Sequence, residues 1–424
     1  MTLVGRGGFA ALDNCVHCGF CLQACPTFLA TGDEADGPRG RIALMRALEQ
    51  GELTPEDPGL LYHLDRCLGC RGCEPVCPSG VGYGAGLEAA RRRLSERRAT
   101  PVLARAALVA MTSPAVSGLV YAVARALRAS GVPGALAGWG RMRFTMGMLA
   151  STRSERRGEW GVVPDGARGS SGIHRDEPLP TPHSQVLLFR GCIMEGLFSH
   201  VHDATIRTLA VNGYETREVP GQICCGALHA HAGLHAAAQT FARANVVAFG
   251  AGVEPIVVNS AGCGAQLKAY GTLLDGDPRA TQFAARVRDV TEVLAERGPL
   301  PGAALPLRVA YDAPCHLLHA QRVAEPPLSV LRAVPGIEVR PTVDSAQCCG
   351  SAGLYGLLQP ELSRTVLAPK LARLMESPPD VLASGNPGCV MQLGAGLRAA
   401  RARIRVQHPV EVLDASYRAA GFYR

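Results

Sequence analysis

In the second half of the chain, short unbroken apolar runs alternate with longer stretches whose apolar positions recur every three or four residues. Val186 to Phe189 leads into Gly191-Cys192, a helical stretch follows from about His202 to Asn212, and Glu215 to Val219 precedes the doublet Cys224-Cys225-Gly226. Leu234 to Gly250 then reads as a helix, Pro255 to Asn259 as a buried strand, and Gly262-Cys263 as the turn closing it. The pattern repeats step for step: Arg308 to Tyr311 into Cys315, a helix near Pro327 to Ala333, Ile337 to Arg340, Cys348-Cys349-Gly350, a helix through Leu362 to Met375, Val381 to Ala383, and Gly388-Cys389. Such self-similarity marks two copies of one unit. Short β-branched runs alternating with helices predict α/β modules with largely parallel sheets, over 184–304 and 305–424. The thiols then fall at the carboxyl ends of strands, where βα loops gather at one sheet edge.

Ahead of the repeat, Val102 to Leu136 carries apolar segments that predict helices, and Ser151 to Pro182 is Arg-, Gly- and Pro-rich and reads as a linker, so 96–183 is a connecting region. Arg105 and Pro114 interrupt the apolar stretch and Arg125 closes it, which argues against a membrane span. Its helices are expected to pack on the protein's own core, the alternative being an amphipathic helix docked on a partner or a bilayer surface.

Composition narrows the function classes. A chain of 424 residues that is 47% hydrophobic and 19% charged can bury more than one core. Aromatic residues make up 5%, and no basic stretch is interleaved with Tyr or Phe, which excludes nucleic acid as the expected partner. The formal charge of +7 is carried by Arg, since Lys268 and Lys370 are the only lysines. Met1 to Ala11 holds one Arg and no apolar run of signal-peptide length, so a cytoplasmic protein is expected. The 16 cysteines are then metal ligands, because reducing compartments do not sustain a disulfide framework.

Half of those cysteines lie in two matching runs. Cys15, Cys18, Cys21, Cys25 with Pro26, and Cys67, Cys70, Cys73, Cys77 with Pro78, each fit C-x₂-C-x₂-C-x₃-C-P. In that pattern three thiolates cup one cubane and the fourth reaches the neighbouring one. Residues 1–95 are therefore a helical, two-cluster ferredoxin-like domain. One 4Fe–4S cluster is expected on Cys15, Cys18, Cys21 and Cys77, and a second on Cys67, Cys70, Cys73 and Cys25. Pro26 and Pro78 turn the chain away after the last ligand, and Gly19, Gly69 and Gly72 let backbone approach the sulfides. A pair of zinc sites is the alternative, but its usual spacing is C-x₂₋₄-C pairs. Saturated iron makes such sites wires, so no catalytic residue is assigned there.

Cys15 to Pro26, followed by Gly32-Asp33-Glu34, Gly37-Pro38-Arg39-Gly40-Arg41, His63-Leu64-Asp65-Arg66-Cys67, Pro78-Ser79-Gly80-Val81 and two cysteine-rich CCG modules, resembles the iron–sulfur subunit of bacterial glycolate oxidase over nearly the whole chain. The resemblance implies an electron-transfer subunit that serves FAD-binding dehydrogenase subunits oxidising glycolate to glyoxylate. It implies passage of the electrons to a quinone or other acceptor, with peripheral contact at the inner face of the cell membrane. A flavoprotein partner is needed because no Gly-x-Gly-x-x-Gly sits at a strand-to-helix turn. Relatives that share the modules suggest alternatives: an iron–sulfur subunit of a lactate or glycerol-3-phosphate dehydrogenase, or a module half that itself reduces a heterodisulfide or a quinone. A zinc-bearing scaffold that assembles flavoproteins is a third reading.

The module quartets Cys192, Cys224, Cys225, Cys263 and Cys315, Cys348, Cys349, Cys389 are suited to an additional iron–sulfur cluster, a zinc ion, or a plain thiol set. The fullest pattern among relatives has a further thiol where this chain has Gln266 and Gln392, which argues against their catalytic cluster. His200, His202, His229, His231, His235 and His316 raise the option of mixed Cys/His ligation. Gly226 and Gly350 are expected to form a turn beside each site, and Asn259 and Asn386 to cap turns.

Overall fold

The computed structural model describes residues 7–153, 184–342 and 344–423; most of the expected linker lies outside the described residues. Around the N-terminal cysteines, proline sets where helices begin. Pro26 opens α1 (Pro26–Thr31), Pro38 opens α2 (Pro38–Gln50) and Pro58 opens α3 (Pro58–Asp65). Its missing N–H is one that a helix start leaves unpaired anyway, and its fixed φ suits the first turn. With α4 (Tyr83–Ser95) these helices bury Leu12, Ile42, Met45, Leu60, Leu64 and Leu87 in one core, to which Cys67 and Cys73 also belong.

Two apolar helices follow, α5 (Val102–Thr112) and α6 (Pro114–Ala129), bent by 88° at the break before Pro114, and then α7 (Val132–Leu136) and α8 (Arg141–Ala150). Among the described residues no single helix is long and apolar enough to cross a membrane. The expected packing on the protein's own core is met along narrow stripes only. On α5 Ala104 and Leu108 are buried, and on α6 only Tyr121 is.

The repeat folds as two four-stranded parallel sheets. The first module runs β1 (Ser184–Phe189), α9 (Ile193–Leu197), α10 (Ser199–Val211), β2 (Tyr214–Glu218), α11 (Ala227–His231), α12 (His235–Phe249), β3 (Ile256–Val258), α13 (Ala261–Lys268), α14 (Tyr270–Leu273), α15 (Pro278–Arg286), β4 (Val287–Asp289) and α16 (Val290–Arg297). The second runs β5 (Arg308–Tyr311), a π-helical turn over His316–Ala320, α17 (Glu325–Arg332), β6 (Glu338–Pro341), α18 (Tyr355–Leu358), α19 (Pro360–Glu376), β7 (Val381–Ala383), α20 (Pro387–Ala399), β8 (Arg405–Gln407) and α21 (Pro409–Ala420). Strand orders are β2-β1-β3-β4 and β6-β5-β7-β8, with every pairing parallel. Helices cover both faces, which is why the inner strands are unbroken apolar runs.

The fourth strand of each sheet is a difference from the three that the sequence suggests. Val287-Arg288-Asp289 and Arg405-Val406-Gln407 are short edge strands with polar side chains, so they carry no apolar run. What does mark them is the capping box that follows each, Asp289 with Glu292 and His408 with Glu411.

The modules pack on each other through α10 against α21 and α16 against α17. Val201, Leu209, Val290, Val330, Leu413 and Tyr417 share one core there, and Arg207 holds Asp414 in a bidentate pair at 2.8 and 2.9 Å. This brings the cysteine-bearing sheet edges face to face, with the N-terminal domain closing over them. Ser95 Oγ donates to Gly233 O at 2.8 Å, and Tyr355 OH to Arg66 O at 3.0 Å.

Candidate metal centres

The two N-terminal runs repeat one backbone path. His17 and Gly69, each just before the second cysteine, have φ of 55° and 64°; Gly19 and Arg71, each just after it, have φ of 85° and 60°. Left-handed residues at alternate positions curl the chain into a cup whose amides point inward, the form of an anion-binding nest. Of the glycines singled out, Gly19 and Gly69 meet this need, whereas in the second run it falls to Arg71 rather than Gly72. Non-glycine residues there cost about 1 kcal/mol each. Arg71 is held by its ion pair with Glu74 at 2.8 Å, and Glu74 also accepts from Gly84 N at 2.7 Å.

The cups bring eight thiols around two hollows. Cys15, Cys18, Cys21 and Cys77 line one with Pro38, Ile42 and Val81; Cys25, Cys67, Cys70 and Cys73 line the other with Thr27 and Arg41, and Tyr83 and Cys73 border both. Burial pushes the Cys73 thiol well above its ordinary range, and Cys70, Cys67 and Cys25 push it the same way. Four such sulfurs can shed protons together only beside a compensating cation, so the donor set fits a metal cluster.

Arg41 lies at the second hollow, 0% exposed. Its Nε donates to His63 O at 2.7 Å, Nη1 to Thr27 Oγ1 at 2.9 Å and Nη2 to Asp36 Oδ1 at 3.3 Å. Burial works against its charge, but Cys67, Tyr83, Cys25 and Asp36 outweigh that and hold the guanidinium protonated. A fixed buried cation beside four thiolates offsets part of their charge.

In the modules, Cys192 and Cys315 stand immediately before helical turns, at the starts of α9 and of the His316–Ala320 stretch. Cys263 and Cys389, expected in turns, instead lie in the first turns of α13 and α20, where the helix dipole favours negative charge. Gly226 (φ 80°) and Gly350 (φ 84°) form the expected turn, each donating its N–H to Cys224 Sγ or Cys348 Sγ at 3.4 Å. Sulfur separations are 3.4 Å for Cys192–Cys224, 3.3 Å for Cys225–Cys263, 3.9 Å for Cys315–Cys348 and 3.3 Å for Cys349–Cys389.

Both quartets line a single cavity of about 390 Å³ between the modules, whose walls include Leu68, Leu94, Pro101, Leu228, Leu354 and Leu358. Its halves are tied by Gly262 N to Asn386 Oδ1 at 3.1 Å and Ala261 N to Gly385 O at 3.1 Å. Asn386 also donates to Cys389 Sγ at 3.4 Å, and so does more than cap a turn. Asn259, by contrast, faces away, donating to His202 Nδ1 at 3.0 Å.

The surroundings of the quartets differ. Beside the first, Asn245 accepts from Ile223 N at 2.9 Å and donates to Cys224 O at 3.0 Å. At the matching place Lys370, 4% exposed, donates to Gln347 O at 2.7 Å and pairs with buried Asp312. Burial works against the ammonium, and Asp312, with Cys349 and Cys389, keeps it charged.

Among the histidines singled out, only His231 and His316 line the cavity, their rings stacked 5.3 Å apart. Burial, with the His316, Arg91 and Arg71 charges, pushes His231 down to about 3. His202 Nε2 donates to Arg190 O at 3.0 Å, which commits that ring to backbone rather than to the cavity. Gln392 is buried and donates to Ser363 Oγ at 2.9 Å, which in turn donates to Gly350 O at 2.8 Å, so it braces the cysteine turn.

Paired thiol quartets ahead of a tandem of cysteine-rich α/β modules define an iron–sulfur oxidoreductase. Residues 11–81 match the model of the 4Fe-4S dicluster domain, and 186–268 and 309–394 each match that of the Cysteine-rich domain. The chain is 34% identical to the Probable glycolate oxidase iron-sulfur subunit of Bacillus subtilis (strain 168) and 31% identical to the Glycolate oxidase iron-sulfur subunit of Escherichia coli (strain K12), in both cases over 95% of this chain and 93% of the relative. The chain belongs to the family of glycolate oxidase iron–sulfur subunits.

Proposed function

We propose that the protein is the electron-transferring subunit of a flavin-dependent 2-hydroxy acid dehydrogenase, with glycolate oxidised to glyoxylate on FAD-binding partner subunits and a quinone-type acceptor receiving the electrons at the inner face of the cell membrane. Cys15, Cys18, Cys21 and Cys77 hold one 4Fe–4S cluster, and Cys25, Cys67, Cys70 and Cys73 hold the other. When bound, the clusters accept singly the electrons that a flavin collects in pairs. Arg41 and the Gly69 amide support the thiolates of the second set, and the α2–α4 core keeps water from them. Cys192, Cys224, Cys225 and Cys263, and Cys315, Cys348, Cys349 and Cys389, are two further donor sets, for an iron–sulfur cluster or zinc.

The supporting observation is that Cys70 of the dicluster domain packs in one cluster with Cys348 of the second module, and that Cys67 lines the cavity shared by both module quartets. Metal analysis and paramagnetic resonance of anaerobically purified protein test it. About eight irons per chain with cubane signals fit the relay with zinc or empty modules, and additional iron with an atypical signal places a cluster in the modules. Iron-free protein after reconstitution refutes the reading.

A second reading has its own support. The cavity between the quartets is large enough for a small substrate, which suits reduction of a disulfide or quinone among the module thiols. Turnover of a disulfide with a reduced viologen dye as the electron donor, in the absence of any flavoprotein, would favour it.

A further inference from the structure

The outward faces of α5 and α6 are apolar and uncovered. On α6, Val116, Leu119, Val123 and Ala126 recur at helical spacing on the side opposite Tyr121, and Leu119 is 70% exposed. On α5, Val102, Ala106 and Val109 lie opposite the buried Ala104. Met142, at the start of α8, is 72% exposed and Trp139 close to it is 47% exposed. Scattered exposed aliphatics need no explanation, but stripes on successive helices do.

The charge on this stretch is of one sign. From Arg97 to Arg153 the chain carries eight arginines and no Asp or Glu, although acids and bases are nearly balanced over the whole chain, 36 against 43. Arg105 stands exposed on α5; Arg125 and Arg143 are exposed and donate to backbone carbonyls, Gly196 O and Leu136 O. An apolar helix face edged by arginine, free of carboxylates and accompanied by tryptophan has the make-up of a segment that lies in a membrane interface. A protein partner would instead be expected to meet some carboxylate on the patch, since ordinary rims mix both signs.

The same helix borders the thiol cavity. Pro101 and Ala104 of the α5 start line it with Leu354 and Leu358, and Pro101 and Leu358 are exposed, so one wall of the cavity reaches the surface beside the start of α5. We propose that the outer faces of α5 and α6 form a docking surface for an anionic phospholipid bilayer, with α5 and α6 lying in the interface and the cavity opening beside the lipid. The lipid contact stands on these residues alone; its use, access for an apolar acceptor, rests on the quinone-type acceptor proposed above.

Flotation of the reconstituted holoprotein with vesicles tests the surface. Binding is expected to phosphatidylcholine vesicles containing about 30% phosphatidylglycerol, and about tenfold less to phosphatidylcholine alone or in about 0.5 M salt. Leu119→Asp/Val123→Asp should lower binding about tenfold with iron content unchanged, both side chains being clear of the core. Absence of binding, equal binding to both vesicle types, or wild-type binding by the double variant overturns the proposal. So does a double variant that keeps its lipid binding but no longer copurifies with the flavoprotein subunits, which would make the patch a protein interface. Flotation needs no electron transfer, so its failure leaves the relay standing, and an inactive Cys70→Ser protein should still float.

Discussion

Cys70 of the dicluster domain packs against the same buried cluster that holds Cys348 of the second module, and the nearness of Cys348 is the first cause that draws the Cys70 thiol below the ordinary cysteine range. Cys348 is pushed well above it, chiefly by Cys315 and also by Cys70. The two residues meet across the boundary between the dicluster domain and the second module. Among the described residues, Cys225 of the first module packs in a cluster that holds no residue of the dicluster domain. The two modules, alike in fold, are unlike in where they stand relative to the N-terminal thiols.

Cys70→Ser should lower turnover with an artificial quinone-like acceptor by about a hundredfold, measured in the assembled complex with its flavoprotein. Gln266→Cys should leave it unchanged within about twofold. A Cys70→Ser complex with undiminished turnover would remove the wire from the account.

Gly350→Ala and Gly226→Ala should differ although the motif is the same. A Cβ on Gly350 would come 2.5 Å from Ser363 O, whereas on Gly226 the nearest atom is Phe241 Cβ at 3.2 Å. Both incur the left-handed penalty of about 1–2 kcal/mol, and Gly350→Ala adds a backbone clash, for a total of about 3 kcal/mol or more. Urea denaturation of the two variants checks the order.

Arg41→Met should destabilise the fold by about 2–3 kcal/mol, because it takes one of two guanidiniums from the buried Asp36 carboxylate, leaving Arg66 at 2.8 Å, and leaves His63 O and Thr27 Oγ1 without their donor. Arg41→Met/Asp36→Asn should recover part of that loss. If the single and double variants melt alike, Asp36 is not the reason for the cost.

The protein should lose stability in mild acid. Burial, with neighbouring charges, holds His202 down at about 4 and His408 at about 3, while the unfolded chain takes up these protons near 6.5. The stabilisation is complete above pH 6.5 and falls as pH drops toward those values, by about 1.4 kcal/mol per unit for each histidine. Asp289, raised by burial to about 6, acts in the opposite sense and offsets one of them. His408 Nδ1 accepts from Val410 N at 3.2 Å, a role that protonation ends. His408→Asn keeps a capping acceptor without the titration, so its stability loss between pH 7 and 5 should be smaller than wild type by about 2 kcal/mol. Equal losses in urea melts at the two pH values would assign the acid sensitivity elsewhere.

What was legible in the sequence follows from how strongly each feature constrains composition. The inner strands are buried on both faces and must be apolar, so Val186–Phe189 and Val381–Ala383 announce themselves; the edge strands Val287–Asp289 and Arg405–Gln407 do not. Thiol spacing marked the sixteen cysteines, yet could not tell that Cys263 and Cys389 begin helices, because Gly262 and Gly388 read equally as turn. The pairing of Lys370 with Asp312 joins residues 58 apart in sequence and left no local trace. Its one signal was rarity, Lys370 being one of two lysines in a chain rich in arginine. The exposure of α6 is likewise a matter of what packs nearby, which apolar periodicity alone does not settle.

The reciprocal packing of α10 on α21 and α16 on α17 has the form of an isologous contact, in which equivalent helices of two halves exchange partners. A single copy of the unit would make that contact with its twin, so the fused chain carries a homodimer's seam inside one polypeptide. Covalent fusion frees the halves from identity. Only the later copy has to keep a cysteine against Cys70, and the earlier one is at liberty to drift.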